Sequence, residues 1–157
     1  MNLNTDFVNK LRSSGLRPTK QRLKICEILF NTEKTFHFTI NDLNKYLSDL
    51  KGVLNKKFLI SSIVDYSDHY SHTDKNIGAL NFLSYSEEEW KKFNNSYLFQ
   101  NRLRHQDYKR IFKKAGYKIT EIFVGSTSRG PKKICHEFDN KSEETYINWA
   151  YFLIESK

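Results

Sequence analysis

Cysteine is nearly absent from this chain: Cys26 and Cys135 stand far apart, with no Cys-x-x-Cys pair. That excludes a disulfide framework and a zinc knuckle, and it suits a reducing cytosol. Long apolar runs are missing as well. No segment approaches the roughly 18 consecutive apolar residues that cross a bilayer, and Asp6 and Lys10 interrupt the amino-terminal stretch. A soluble, untargeted, cytoplasmic protein without a membrane partner is expected. The six glycines, Gly15, Gly52, Gly78, Gly116, Gly125 and Gly130, are scattered, and none opens a glycine-rich turn behind a strand. Without that turn and an acidic residue for ribose hydroxyls, no pocket for a nucleotide-type cofactor can be assigned. Internal repeats and low-complexity linkers are also missing.

Positive charge is what the chain does carry. Over 157 residues, 26 Lys and Arg face 18 Asp and Glu, a net charge of +8, which favours acidic partners by long-range attraction. A chain of this length makes one ordinary domain or two small, marginal ones.

Periodicity divides the chain. Residues 1–48 read as helical: Phe7, Val8 and Leu11 share one face of a helix that Ser13, Ser14 and Gly15 end. A second helix starts near Pro18 or Thr19, with Leu23, Cys26, Leu29 and Phe30 as its apolar stripe. A third starts at Thr39, which has the capping-box spacing to Asp42, and carries Ile40, Leu43, Leu47, Leu50 and Leu54 on one face. From Phe58 the period changes. "FLISSIV" is a β-branched, nearly continuous apolar run of the kind buried in a parallel sheet. A polar aromatic loop, "YSDHYSHTD", follows. Ser86 and Glu89 set up a short helix bearing Trp90 and Phe93, and Tyr108, Ile111, Phe112 and Ala115 mark another that Gly116 ends. "YKITEIFV" and "WAYFLIE" read as strands, with "GSTSRGPKK" as a loop between them.

The strings "LRSSGLRPTKQRLKICEILF" and "HFTINDLNKYL" resemble the amino-terminal helices of the ferric uptake regulator family, in particular its iron-responsive regulator branch. The resemblance implies part of a winged helix domain that represses genes in response to metal or haem. Residues 10–24 carry Lys10, Arg12, Arg17, Lys20, Arg22 and Lys24 with no acidic residue, a surface suited to tracking phosphates, and the resemblance adds Thr19 to the DNA-binding set. A solvated helix face is the plain alternative. The family's base-reading helix should follow Leu50, where the chain has "KGVLNKKFLISSIV" instead. The wing, the histidine-rich metal site and the dimerisation domain have no counterpart.

From about residue 50 onward, "GVLNKKFLISSIVDYSDHYSHTD", "NFLSYSEEEW" and "QNRLRHQDYKRIFKKAGYKI" resemble the carboxy-terminal portion of class I S-adenosylmethionine-dependent methyltransferases, in that family's order. "WAYFLIESK" looks like its closing strand. The resemblance implies that Asp65, Asp68, His69, His72, Asn101, Arg102 and His105 lie on the methyl-acceptor side. It supplies no catalytic residue. The cofactor-binding half has no counterpart, so S-adenosylmethionine is expected only if another chain supplies that half.

The expectation is therefore a mixed α and α/β fold. Residues 1–48 form an incomplete winged helix, and residues 49–157 a partial Rossmann-like sheet of about three strands with helices, joined near residues 42–52. A truncated and fused DNA-binding regulator is the first functional reading, and a methyltransferase remnant without activity of its own is the alternative. The open sheet edge, where a fourth strand normally lies, invites pairing with another chain. His69 and His72 with Asp65, Asp68 and Asp74 have too loose a spacing for a metal site, and a substrate-facing or plain surface loop is the better reading. His37 and His136 read as surface histidines and Cys26 as core. Cys135 and His136, as neighbours in a strand, would point to opposite faces.

Overall fold

The structure is a computed structural model that describes residues 3–30, 39–54, 57–95, 99–139 and 142–156. The chain forms two compact units, residues 1–58 and 59–157. The division falls after the third helix, so the 48/49 boundary expected from sequence lies inside that helix.

The first unit holds α1 (Leu3–Ser13), α2 (Lys20–Phe30) and α3 (Ile40–Val53). Gly15 ends α1 in the left-handed region, at φ 73°, and the amides of Gly15 and Leu16 donate back to the carbonyls of Arg12 and Leu11. That is the Schellman closure, which a side chain would strain. The Thr39 hydroxyl accepts the Asp42 amide while the Asp42 carboxylate accepts the Thr39 amide, the capping box expected from the spacing. Phe7, Leu11 and Leu47 are buried, and the Phe7 and Phe30 rings lie 6.5 Å apart. The Gln21 side-chain amide donates to the Val53 carbonyl at 3.0 Å, tying α2 to the end of α3. His37 lies outside the described residues.

The second unit is a three-stranded sheet in the order β1 (Leu59–Asp65), β3 (Trp149–Ser156), β2 (Tyr117–Val124), with β3 antiparallel to both neighbours. The short helix α4 (Glu87–Trp90) and α5 (His105–Lys114) lie between β1 and β2 in the chain. The Ser86–Glu89 capping box and the left-handed Gly116 stand where their sequence signals put them. One face of the sheet is covered. Ala150, Phe152 and Ile154 are fully buried, and Phe112 on α5 meets the Phe152 ring edge-on at 5.2 Å.

The "FLISSIV" run corrects the expectation of a buried parallel strand. Among the described residues it is an edge strand paired only with antiparallel β3, and Leu59 and Ile63 are 62% and 74% exposed. The cause is topological: β3 occupies the place beside β1, so β1 keeps a free edge and a bare outer face. A bulge in β2 between Ile119 and Glu121 adds to that face, because it sets Phe123 opposite Tyr151 and turns the ring outward, 57% exposed. A second core lies away from the sheet, where Leu80, Phe82, Leu83, Trp90, Cys135 and Phe138 pack together.

Candidate functional site

The candidate site of the second unit lies where the chain leaves the carboxyl end of β1. It has an inner layer that holds the loop and an outer layer that faces solvent.

Arg104 is the centre of the inner layer. Its guanidinium donates to the carbonyls of Thr145 at 2.9 Å, Tyr66 at 2.6 Å and Ile147 at 2.6 Å. It also lies 5.3 Å from the ring centres of both Tyr66 and Phe82. Burial lowers its pKa to about 10, which leaves it cationic at neutral pH. Arg102 donates to the carbonyls of Phe82 and Tyr85 and to the carboxylates of Glu87 at 2.8 Å and Glu137 at 3.3 Å. Asp68 is fully buried, and its carboxylate accepts the Tyr70 amide at 3.0 Å and the Asn81 side-chain amide at 3.3 Å. Asn101 accepts the Leu103 amide and meets the Tyr108 hydroxyl. The His105 ring stacks on Phe152 at 5.2 Å, and its Nδ1 lies 3.1 Å from the Tyr66 hydroxyl.

The outer layer is Asp65, Ser67, His69 and His72. His69 and His72 sit on a 3-10 turn, His69–His72, capped by Asp68, so their rings stack at 5.4 Å rather than spreading over a loop. Ser67 Oγ lies 3.1 Å from His72 Nε2, and Asp65 Oδ2 lies 3.9 Å from His69 Nε2. This layer can exchange hydrogen bonds with a polar ligand. Among the described residues, no group of three or more histidine, cysteine, aspartate or glutamate side chains has the arrangement of a metal site.

Of the seven acceptor-side residues, the fold brings Asp65, His69 and His72 together at the surface. Asp68, Arg102 and His105 are buried, and Asn101 is half-buried. Sequence reasoning missed Arg104, Tyr66 and Gln100, whose side-chain carbonyl accepts the His69 amide at 2.8 Å. The signal was present in "NRLR": two arginines two residues apart in an extended segment, beside an aromatic-rich stretch. Cys135 and His136 correct another expectation. They lie in a turn and not in a strand, and the thiol approaches the exposed imidazole at 3.6 Å.

Burial holds the His105 imidazole below the ordinary histidine range. In the unfolded chain it protonates near pH 6.5, so below that pH the unfolded state binds more protons and stability falls with acid. The urea midpoint of the second unit is expected to be lower at about pH 5.5 than at about pH 7.5. In His105→Phe, which keeps a ring against Phe152, this slope should shrink. An unchanged slope would assign the acid sensitivity to another group.

In the first unit Lys10, Arg12, Arg17, Thr19, Lys20, Arg22 and Lys24 are all exposed. Lys10 pairs with Asp6 and Lys24 with Glu27, each within α1 or α2. Arg22 donates to the Arg17 carbonyl, and Thr19 caps α2 by accepting the Arg22 amide. Among the described residues, no carboxylate pairs with Arg12, Arg17, Lys20 or Arg22. Residues 1–58 carry eleven basic and five acidic residues, a balance of +6, against fifteen and thirteen, +2, in residues 59–157. The charge is therefore concentrated in the helical unit.

Comparison with known proteins finds no matching family model, no similar curated protein and no similar solved structure. Among the described residues, no helix is long and apolar enough to cross a membrane.

Proposed function

We propose that the helical unit binds duplex DNA through its phosphate backbone without reading base sequence. The observation that carries this reading is the exposed group of Arg12, Arg17, Lys20 and Arg22, free of carboxylate partners among the described residues, in the unit that holds most of the net charge. Phosphate contacts position a protein, and base contacts made by a helix in the major groove specify where it stops. The regulator resemblance fits the first function and lacks the element for the second. Fluorescence anisotropy with a labelled duplex is expected to give a dissociation constant on the order of 10⁻⁴–10⁻⁶ M at physiological salt. Four phosphate contacts would make log K fall with log salt at a slope of about −3 to −4. An operator-like duplex should bind no better than a random one. No binding at low salt would remove the function, and a strong sequence preference would overturn the assignment to phosphate contacts.

A second reading is that residues 59–157 are the acceptor-side part of a class I methyltransferase sheet: β1, β2 and β3 form where the resemblance puts the fifth, sixth and closing strands, and they join in one sheet. The cofactor does not fit the residues present. The glycine that follows a strand, Gly125, lies against the Trp149 indole, where a Cβ would come within 2.0 Å of the ring, and β1 is followed by Tyr66. Gly125 accommodates tryptophan and leaves no cradle for ribose or sulfonium. Calorimetric titration of the chain with S-adenosylmethionine is accordingly expected to give no heat at millimolar cofactor. Binding by the chain alone would show that the cofactor site lies within it.

A further inference from the structure

The free edge of β1 is self-complementary, and we propose that it pairs with a second copy of this chain, antiparallel, with Ser61 on the two-fold axis. This goes beyond both functional readings and depends on neither.

The alternation of backbone groups selects the residues that face the edge. The Tyr66 amide donates to the Asn148 carbonyl at 2.7 Å, and the Gly125 amide donates to the Trp149 carbonyl at 3.0 Å. Even-numbered residues of β1 therefore turn their amides and carbonyls toward β3, and Leu59, Ser61, Ile63 and Asp65 turn theirs outward. An isologous antiparallel pair centred on Ser61 sets these odd-numbered residues against one another. Leu59 lies opposite Ile63 of the second copy, Ile63 opposite Leu59, and Ser61 opposite itself, each exchanging both backbone bonds. Apolar pairs directly across a ladder are a stabilising combination.

Neighbouring registers lack this match. Centring on Ser62 sets Leu59 against Asp65, and centring on Ile60 sets Leu59 against Ser61 and leaves Ile63 beyond the end of the partner strand. The outer face supplies the remaining argument. Ile63, Tyr151 and Phe123 form a row across the sheet, and the Ser61-centred register extends this row onto Leu59 of the second copy. An edge strand with exposed apolar residues and no charge between Leu59 and Ile63 lacks the usual protection against pairing.

Sedimentation equilibrium of the full chain tests the proposal. A monomer–dimer equilibrium is expected at concentrations up to the order of 100 μM. Ile63→Lys alters a side chain that is 74% exposed, so the fold, checked by circular dichroism, should persist. It enters the interface twice, and about tenfold lost at each site raises the dissociation constant by about 100-fold. In a Cys26→Ser background, Ser61→Cys should form a disulfide-linked dimer on oxidation, because hydrogen-bonded partners lie about 5.5 Å apart between Cα atoms. Ser62→Cys should not. A monomer at every concentration, as expected if the edge takes a strand from a different protein, would overturn the proposal. So would a dimer indifferent to Ile63→Lys, or equal cross-linking by the two cysteine variants. Loss of DNA binding would leave all of these results unchanged.

Discussion

Replacing Arg104 with methionine is expected to destabilise the second unit by about 3–5 kcal/mol, a large part of what holds a domain of this size together. Methionine is unbranched and of similar volume, so little packing volume is lost. What is lost is a donor shared by three carbonyls, on Tyr66, Thr145 and Ile147, which come from the end of β1 and from the segment that leads into β3. A buried carbonyl left without a donor costs about 1–3 kcal/mol, and three lose theirs together. Arg104→Lys should fall between methionine and the native residue, since an ammonium offers three donors but not a planar fork aimed in three fixed directions. Urea unfolding followed by tryptophan fluorescence is the direct measurement, because both tryptophans, Trp90 and Trp149, belong to the second unit. With a slope of about 1–3 kcal/mol per molar urea, the midpoint should fall by at least about 1 M. A midpoint within error of the native value would mean that the three carbonyls find water, and that Arg104 does not clamp the loop.

Trp90→Ala is expected to cost a similar amount, about 3–5 kcal/mol, for a different reason. The indole is almost fully buried and fills the middle of the second core, with ring centres of Phe93 at 5.4 Å, Tyr85 at 5.9 Å, Phe82 at 6.0 Å and Tyr70 at 6.3 Å. Its Nε1–H donates to the Gln100 carbonyl at 3.4 Å, and Arg102 lies 5.9 Å from its ring. Truncation removes the dispersion contacts of four rings at once and leaves a cavity that stiff aromatic neighbours fill poorly. For a unit of about this length the melting temperature should drop by roughly 12–40 °C. Trp90→Phe should recover more than half of the loss, since a ring still occupies the site without the indole's polar end. If alanine and phenylalanine melt alike, the cavity explanation fails and the hydrogen bond to Gln100 carries the effect.

The two substitutions act on the same loop from opposite sides. Arg104 ties its base to the sheet, and Trp90 supports the segment from which Arg102 reaches the carbonyls of Phe82 and Tyr85. His69 is tied to the same region, because Gln100, whose side-chain carbonyl accepts the His69 amide, offers its backbone carbonyl to the Trp90 indole.

Local signals were legible wherever one side chain and one backbone group decide the outcome. Thr39 with Asp42 and Ser86 with Glu89 cap their helices because residues three apart meet across a first turn. Gly15 and Gly116 end helices because the left-handed conformation excludes most side chains. The stripe Tyr108, Ile111 and Phe112 buries itself on the sheet because its period matches a helix. The same reasoning failed for "FLISSIV", because an apolar run looks alike in a covered and an uncovered strand, and its neighbour β3 lies more than eighty residues away in the chain. It failed for Cys135 and His136 because the approach of two adjacent side chains depends on whether the backbone is a strand or a turn.

The sequence by itself determined the helices, their caps, the three strands and the concentration of positive charge in the first unit, since each is a matter of neighbours within a turn or two. Tertiary structure alone decided which strand lies in the middle, which face of the sheet is bare, and that Arg102 and His105 are buried while Asp68, also buried, caps the turn that carries the surface pair His69 and His72. Those outcomes depend on contacts between residues far apart in the chain, where burial and the satisfaction of backbone carbonyls, not local periodicity, select the arrangement.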